Sequence, residues 1–248
     1  DVVFGDVMRL ETHASHDELH AGDDVVLSAF AIDQAGNRRV VNASWTVVDG
    51  TEADVIVTSG VAFLEPSSIG SWRLDADWTD SSTNASYSST WSSVVDPGRL
   101  ASITFDLASN LVPADRAVDL SPRLTDAFGH AIEGVELNWT VDGLDATFDL
   151  RTSQGKWAPT SLGGHVIRAN ADGVFGLVRL TVEPGAASML ALEAPLPEQL
   201  VAGVPAEIRL DRVDLHGNVG PAVNLSTNVN ASVLTVEPST SGPGYWTI

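Results

Sequence analysis

Few residues in this chain are spaced for chemistry. The stretch HDELH, His16–His20, sets two histidines four apart around acidic residues. On a helix both imidazoles would share one face and could hold zinc with a carboxylate as base. Here Asp17 follows the first histidine and Glu18 falls one place late, so the metalloprotease pattern is not met. Asp75, Asp77 and Asp80 in DADWTD, and Asp49, Glu52 and Asp54 in DGTEAD, offer oxygens of the kind calcium takes. Neither run has the glycine and closing glutamate of a calcium loop, and both read as solvated carboxylates, so no metal site is assigned. No nucleophile elbow, phosphate-binding glycine loop or Ser/His/Asp arrangement is visible, so no catalytic residue and no cofactor are assigned. Trp78, Trp91 and Trp157 could serve as sugar platforms. The strongest signal is a set of N-glycosylation sequons at Asn42, Asn84, Asn138, Asn224 and Asn230, where chance would give about two.

Composition narrows the setting. The 248 residues include 33 acidic and 13 basic ones, for a formal net charge of −20. Asp outnumbers Glu 22 to 11, and Lys156 is the single lysine. Such a surface repels nucleic acid and anionic lipid, and it favours solubility where salt screens self-repulsion. It predicts a marine or halophilic source, archaeal in preference to bacterial. With no cysteine, disulfides and thiolate sites are excluded. No apolar run approaches the ~18 residues of a membrane-spanning helix, so no membrane insertion is expected.

The elements that must carry these residues repeat along the chain. An alanine followed twelve places later by the aspartate of Asp-x-x-Gly recurs as Ala21/Asp33/Gly36, Ala114/Asp126/Gly129 and Ala202/Asp214/Gly217. SIGSWRLDAD (68–77) matches SLGGHVIRAN (161–170), and GPGYWTI (242–248) is read as the start of the same element, which puts Ile248 level with Leu74 and Ile167. VVDPG (94–98) and TVEPG (181–185) stand between units, 87 residues apart. In place of HDELH, the later copies carry NLVPA (110–114) and EQLVA (198–202), with no histidine. The segment is therefore predicted to be a solvated strand connection.

Within each unit apolar residues alternate: Val25, Leu27, Ala29, Ala31; Val118, Leu120, Leu124; Ala206, Ile208, Leu210. A period of two buries one face of a strand and wets the other, so Asp119, Arg209 and Asp211 are predicted to point to water. Short strands, Pro and Gly at the joints and a period near 90 predict tandem two-sheet sandwiches. Leu27, Leu120 and Ile208 are core positions, as are Trp45 and Trp139, with Leu225 in the tryptophan's place in the third copy. With those side chains inward, Asn42, Asn138 and Asn224 face outward. In the Asp-x-x-Gly turn the carboxylate accepts backbone N–H groups and glycine takes the left-handed position.

At these residues the chain resembles the bacterial immunoglobulin-like repeats of the invasin/intimin type. The matching residues are Ala21–Gly22, Asp33, Gly36 and Asn37, Trp45 and Val47, Gly70, Trp72, Leu74 and Ala76, and Pro97–Gly98. Copy two departs at Ala114–Asp115 and at His130, and copy three lacks the tryptophan. The resemblance implies an all-β fold of tandem immunoglobulin-like sandwiches, the last incomplete, on a microbial surface.

The expected division is residues 1–6 as the end of a preceding unit or linker, domains over 7–97 and 98–185, and 186–248 as a domain lacking its last strand. Either the array continues past Ile248 or a neighbouring molecule supplies that strand. The function expected is a non-enzymatic extracellular structural or adhesive segment, a stalk or a surface-layer or fibre component. Its partners would be neighbouring repeats or copies, with glycan attached. The alternative is a carbohydrate-binding or accessory module of a secreted hydrolase.

Overall fold

The computed structural model of the chain describes residues 4–146, 156–193, 199, 201–224 and 235–248. Among these residues the regular structure is strand throughout, apart from one 3-10 turn at Glu52–Asp54. No helix among them is long and apolar enough to cross a membrane. Two compact units form: Asp1–Ser102 with Leu124–Val135, and Ile103–Arg123 with Glu136–Ile248.

The first unit contains a two-sheet sandwich. One sheet runs, in spatial order, Val7–Ala14, Val25–Asp33, Val61–Leu64 and Val55–Thr58, with Arg38–Val41 also pairing Val25–Asp33. The other runs Leu19–His20, Ala85–Asp96, Gly70–Asp80 and Ser44–Asp49. Strand alternation places the core. Val25, Leu27, Ala29 and Ala31 are all at or below 1% exposure, while the residues between them lean outward. Leu27 meets Leu19, Ala62, Leu64, Trp72, Leu74, Trp91 and Val95 in one cluster. Leu10, Ala29, Ala31, Val41, Ala43 and Ala76 form a second, against which Trp45, Trp78 and Tyr87 pack. Trp45 is half-buried and its indole N–H donates to Gly60 O at 3.0 Å.

In the second unit one sheet runs Leu111–Pro113, Val174–Glu183, Gly163–Ala171, Asn138–Val141 and Leu144–Ala146. Its registers repeat those of the first sandwich. Leu111–Pro113 lies parallel to Val174–Glu183, as Leu19–His20 does to Ala85–Asp96. Val118 sits opposite Trp157 where Val25 sits opposite Leu64. Leu120 and Trp139 are buried, the ring of Trp139 lying 5.9 Å from that of Phe105. A further sheet runs Met189–Leu192, Glu207–Val213, Tyr245–Thr247 and Glu237–Pro238, with Val219–Pro221 on Glu207–Val213. Here Ile208 is half-buried.

Three expectations change. Ala206, eight residues before its turn aspartate as Val25 and Val118 are, exchanges both backbone hydrogen bonds with Ile248 at 2.9 and 2.8 Å. Ile248 therefore takes the register of Leu64 and Trp157, not that of Leu74 and Ile167. GPGYWTI belongs one strand earlier, because pairing partner, not the Gly-aromatic spelling, defines a strand's place. Asp211 does not point to water. It is 9% exposed with Arg209 Nε 3.7 Å away, and Arg209 is drawn in by Glu193 at 2.9 Å and by the Tyr245 ring at 5.4 Å. HDELH is not solvated throughout: Leu19 is buried at 2% as part of a strand, while His20 donates its backbone N–H to Asp23. Leu225 lies outside the described residues.

Leu74 is fully buried between the two sheets, so Leu74→Ala leaves a cavity the sandwich cannot close. The variant is expected to lose about 3 kcal/mol of unfolding free energy, as a lower urea midpoint with unchanged slope.

Candidate functional site: carboxylate clamps at the repeat joints

The three Asp-x-x-Gly turns share one local geometry. The aspartate carbonyl accepts the glycine N–H, from Gly36, Gly129 and Gly217, at 3.1 to 3.2 Å. Those glycines have φ of +81°, +89° and +83°, a region costly for a side chain carrying Cβ. One carboxylate oxygen accepts two further backbone N–H groups inside the turn. For Asp33 these come from Ala35 and Asn37 at 2.9 and 2.8 Å. For Asp126 they come from Phe128 and His130, both at 2.9 Å. For Asp214 they come from His216 and Asn218, both at 2.9 Å.

The other oxygen reaches beyond the turn. It accepts a backbone N–H from a glycine 28 or 29 residues earlier: Gly5 on Asp33, Gly98 on Asp126 and Gly185 on Asp214, each at 2.9 Å. Gly98 and Gly185 are the glycines of the two Pro-Gly junctions. A fourth group completes each set: Asn37 Nδ2 at 2.8 Å, His130 Nδ1 at 2.8 Å and Asn218 Nδ2 at 2.9 Å. Each aspartate is only 3% exposed. A buried carboxylate must be matched by donors, and these three are matched four times each.

The junction glycines are also gripped from behind. Ala21 N donates to Asp96 O and Ala114 N to Glu183 O, both at 2.9 Å, which seats each alanine beside the end of its unit's last strand. A Cβ on Gly98 would stand 2.5 Å from Ala21 O, and one on Gly185 would stand 2.5 Å from Asp115 Cγ. Only glycine fits, because the approach is close rather than because φ is unusual. Asp115 in turn accepts Ala186 N at 2.7 Å. At the first junction Phe128 lies against Gly22, where a Cβ would be 3.1 Å from the ring. Each Pro-Gly joint is thus held between the sandwich it leaves and the turn it enters, the first within one compact unit and the second within the other.

The hydrogen bonds lower the aspartate pKa values. Asp33 is brought to about 2, chiefly by the Asn37 side chain and the Gly5 N–H. For Asp126 burial pushes upward, but the Gly98 N–H and His130 outweigh it and hold the group at about 2. For Asp214 burial is likewise outweighed, by the Asn218 side chain and the Gly185 N–H, and the pKa is lowered.

The other candidate residues are dispersed. Asn42, Asn84, Asn138 and Asn224 are exposed. Asn138 faces out beside inward Trp139, opposite Asn170 on the next strand, and Asn84 stands in a hairpin turn at φ +59°. Asn230 lies outside the described residues. Trp91 and Trp157 are both 8% exposed and belong to sandwich interiors, so they are not sugar platforms. Trp78 is half-buried, stacked on Tyr87 and covered by Arg39. Asp75 accepts Thr90 Oγ1, Asp80 accepts Ser82 N and Oγ, and Asp54 accepts Ser67 N and Oγ. Among the described residues no three His, Asp or Glu side chains are grouped to hold a metal. Sequence reasoning found the clamp aspartates as turn formers and missed their reach to the junction glycines. The shared period of the two features was the available signal.

Neither a protein-family model nor a curated protein matches the sequence. Solved structures do resemble it. FdeC, an adhesin of Escherichia coli, aligns over 99% of this chain and 89% of its own at a TM-score of 0.61 and 16% identity. InvD of Yersinia pseudotuberculosis aligns over 85% of this chain and 71% of its own, at 0.42 and 18%. The S-layer protein rSbsC aligns over 98% of this chain and 36% of its own, at 0.30 and 14%. The fold is all-β, of tandem immunoglobulin-like sandwiches.

Because the unfolded chain binds protons near pH 4 and the clamps near pH 2, their contribution is full above about pH 4 and is lost as pH falls toward 2. Asp126→Ala leaves the N–H groups of Gly98, Phe128 and His130 without this acceptor. It is expected to lower stability by about 2 kcal/mol at pH 7, with the deficit shrinking as pH approaches 2, as measured by urea unfolding across pH.

Proposed function

We propose that this chain is a non-enzymatic extracellular segment of a microbial surface protein, a stalk or surface-layer or fibre component. It works as a spacer between neighbouring repeats or copies. The observation that carries the reading is the clamp itself. Three times over, a buried carboxylate ties the strand-leading glycine to the turn of the unit it enters. A catalytic or ligand-binding protein has no need to fasten every joint the same way. A spacer does, since a loose joint loses reach to chain entropy. Each ten-residue strand length adds roughly 35 Å of reach.

The division into repeats at 7–97, 98–185 and 186–248 belongs to this proposal, as does N-linked glycan at Asn42, Asn84, Asn138, Asn224 and Asn230. The similarity to an adhesin supports a surface location, and the acidic, lysine-poor surface supports a salt-rich one.

Small-angle scattering of the native chain and of Asp126→Ala and Asp214→Ala should show greater flexibility in both variants, with both still folded by circular dichroism. Superimposable profiles would remove the mechanical role. Intact-mass analysis of protein from its native source should exceed the polypeptide mass by whole glycans. Unmodified asparagine at all five positions would withdraw the glycoprotein assignment.

A further inference from the structure

In the second unit, the outward residues of Asn138–Val141, Gly163–Ala171 and Val174–Glu183 stand in cross-strand rows. Asn138 lies opposite Asn170, and Asn170 opposite Phe175. In the next row Thr140 lies opposite Arg168, and Arg168 opposite Leu177. Asn138, Thr140, Arg168 and Asn170 border a hollow of about 480 Å³. Its polar groups are amide, hydroxyl and guanidinium, all able to bond sugar hydroxyls. Phe175 is 61% exposed even with the Arg168 guanidinium 5.0 Å from its ring centre. Among the described residues Arg168 takes part in no ion pair, although acidic residues outnumber basic ones 33 to 13. Asp142, in the turn after Val141, is already held by His165 Nδ1 and the Val166 N–H, both at 2.7 Å. Arg168 thus has an aromatic neighbour and no anion.

Asn138 opens the sequon Asn138-Trp139-Thr140, and its side chain is exposed while Trp139 is buried. A sugar on Asn138 Nδ2 therefore starts at the rim of the hollow. Neighbouring strands lie about 4.8 Å apart, which puts Phe175 roughly 10 Å from Asn138 across the row. Each linked sugar advances a glycan by about one strand spacing, so the first lies over Asn170 and the second reaches Phe175. We propose that the glycan of Asn138 folds back across Gly163–Ala171 and Val174–Glu183, with an acidic sugar near its root paired to Arg168. The inference rests on glycosylation of Asn138. A sugar's apolar C–H face covers the Phe175 ring, and its carboxylate or sulfate supplies the anion that Arg168 lacks. Covalent attachment removes the association cost that a free saccharide would meet on so shallow a face.

The test is hydroxyl-radical footprinting of the full chain from its native source, with Phe63 of the first unit, 47% exposed, as internal reference. Peptide mass spectrometry of the same samples reads occupancy and sugar composition at Asn138. Phe175 should be labelled about threefold more slowly in the glycosylated protein than in Asn138→Gln, with Phe63 unchanged. Arg168→Gln should keep the glycan and return Phe175 labelling toward the Asn138→Gln rate. Circular dichroism should show both variants folded, since both positions are exposed. An occupied Asn138 with Phe175 labelled as fast as in Asn138→Gln would overturn the proposal and leave the glycoprotein assignment standing. An occupied site whose sugars are all neutral, or Phe175 protection that survives Arg168→Gln, would overturn the pairing with Arg168. Unmodified Asn138 would withdraw the proposal together with the glycan at that position.

Discussion

At each Asp-x-x-Gly turn the chain is fastened to a glycine 28 or 29 residues earlier by a carboxylate with four donors. Only an ionised Asp can do this. It accepts at both oxygens with no donor of its own, and it is short enough to sit within its own turn. An amide in the same place would turn an N–H toward N–H groups on one side. Three of the four donors, two backbone N–H groups and one side chain, are local, and they fold the turn. The fourth comes from a glycine 28 or 29 residues earlier, and it fixes the incoming chain. Turn and joint are therefore made by one group, and neither can loosen without exposing the other's unpaired charge.

That coupling explains an otherwise odd use of aspartate. The chain carries a large excess of acidic residues, most of them on the surface where they serve hydration. Among the described residues five aspartates are buried: Asp33, Asp80, Asp126, Asp211 and Asp214. The clamp aspartates and Asp80 are satisfied by backbone N–H groups and by hydroxyl, amide or imidazole side-chain donors, while Asp211 lies beside Arg209. The second copy varies the fourth donor, with His130 in place of asparagine, yet keeps the same oxygen and the same distance. What is preserved is a donor at that point in space, not a residue type. The junction's other side varies in the same way. Gly22 leaves room for Phe128 at one joint, and Asp115 supplies an acceptor to Ala186 at the other.

The sandwiches provide the frame. Alternation along Val25–Asp33 sends small and branched aliphatic side chains inward to meet Trp72 and Trp91, and strand pairing closes the layers. Trp91 and Trp157, open to a sugar-platform reading in the sequence, lie inside because an indole is a large apolar body and the two sheets leave room for one.

By itself, the sequence determined the all-β class, the period, the turn positions and the inward faces. Each follows from a local rule: a period of two, Asp and Gly in a tight turn, and spacing that repeats. It marked Asp33, Asp126 and Asp214 as turn formers, since their nearest donors lie within four residues. Only the tertiary structure decided that the same carboxylates hold Gly5, Gly98 and Gly185, that Ile248 pairs with Ala206, that Asp211 is buried, and that Asn138, Asn170 and Phe175 share an outward row. These are contacts between residues tens of positions apart. Which strand lies beside which, and in what register, depends on how whole sheets close over their core, and no short stretch of sequence contains that choice.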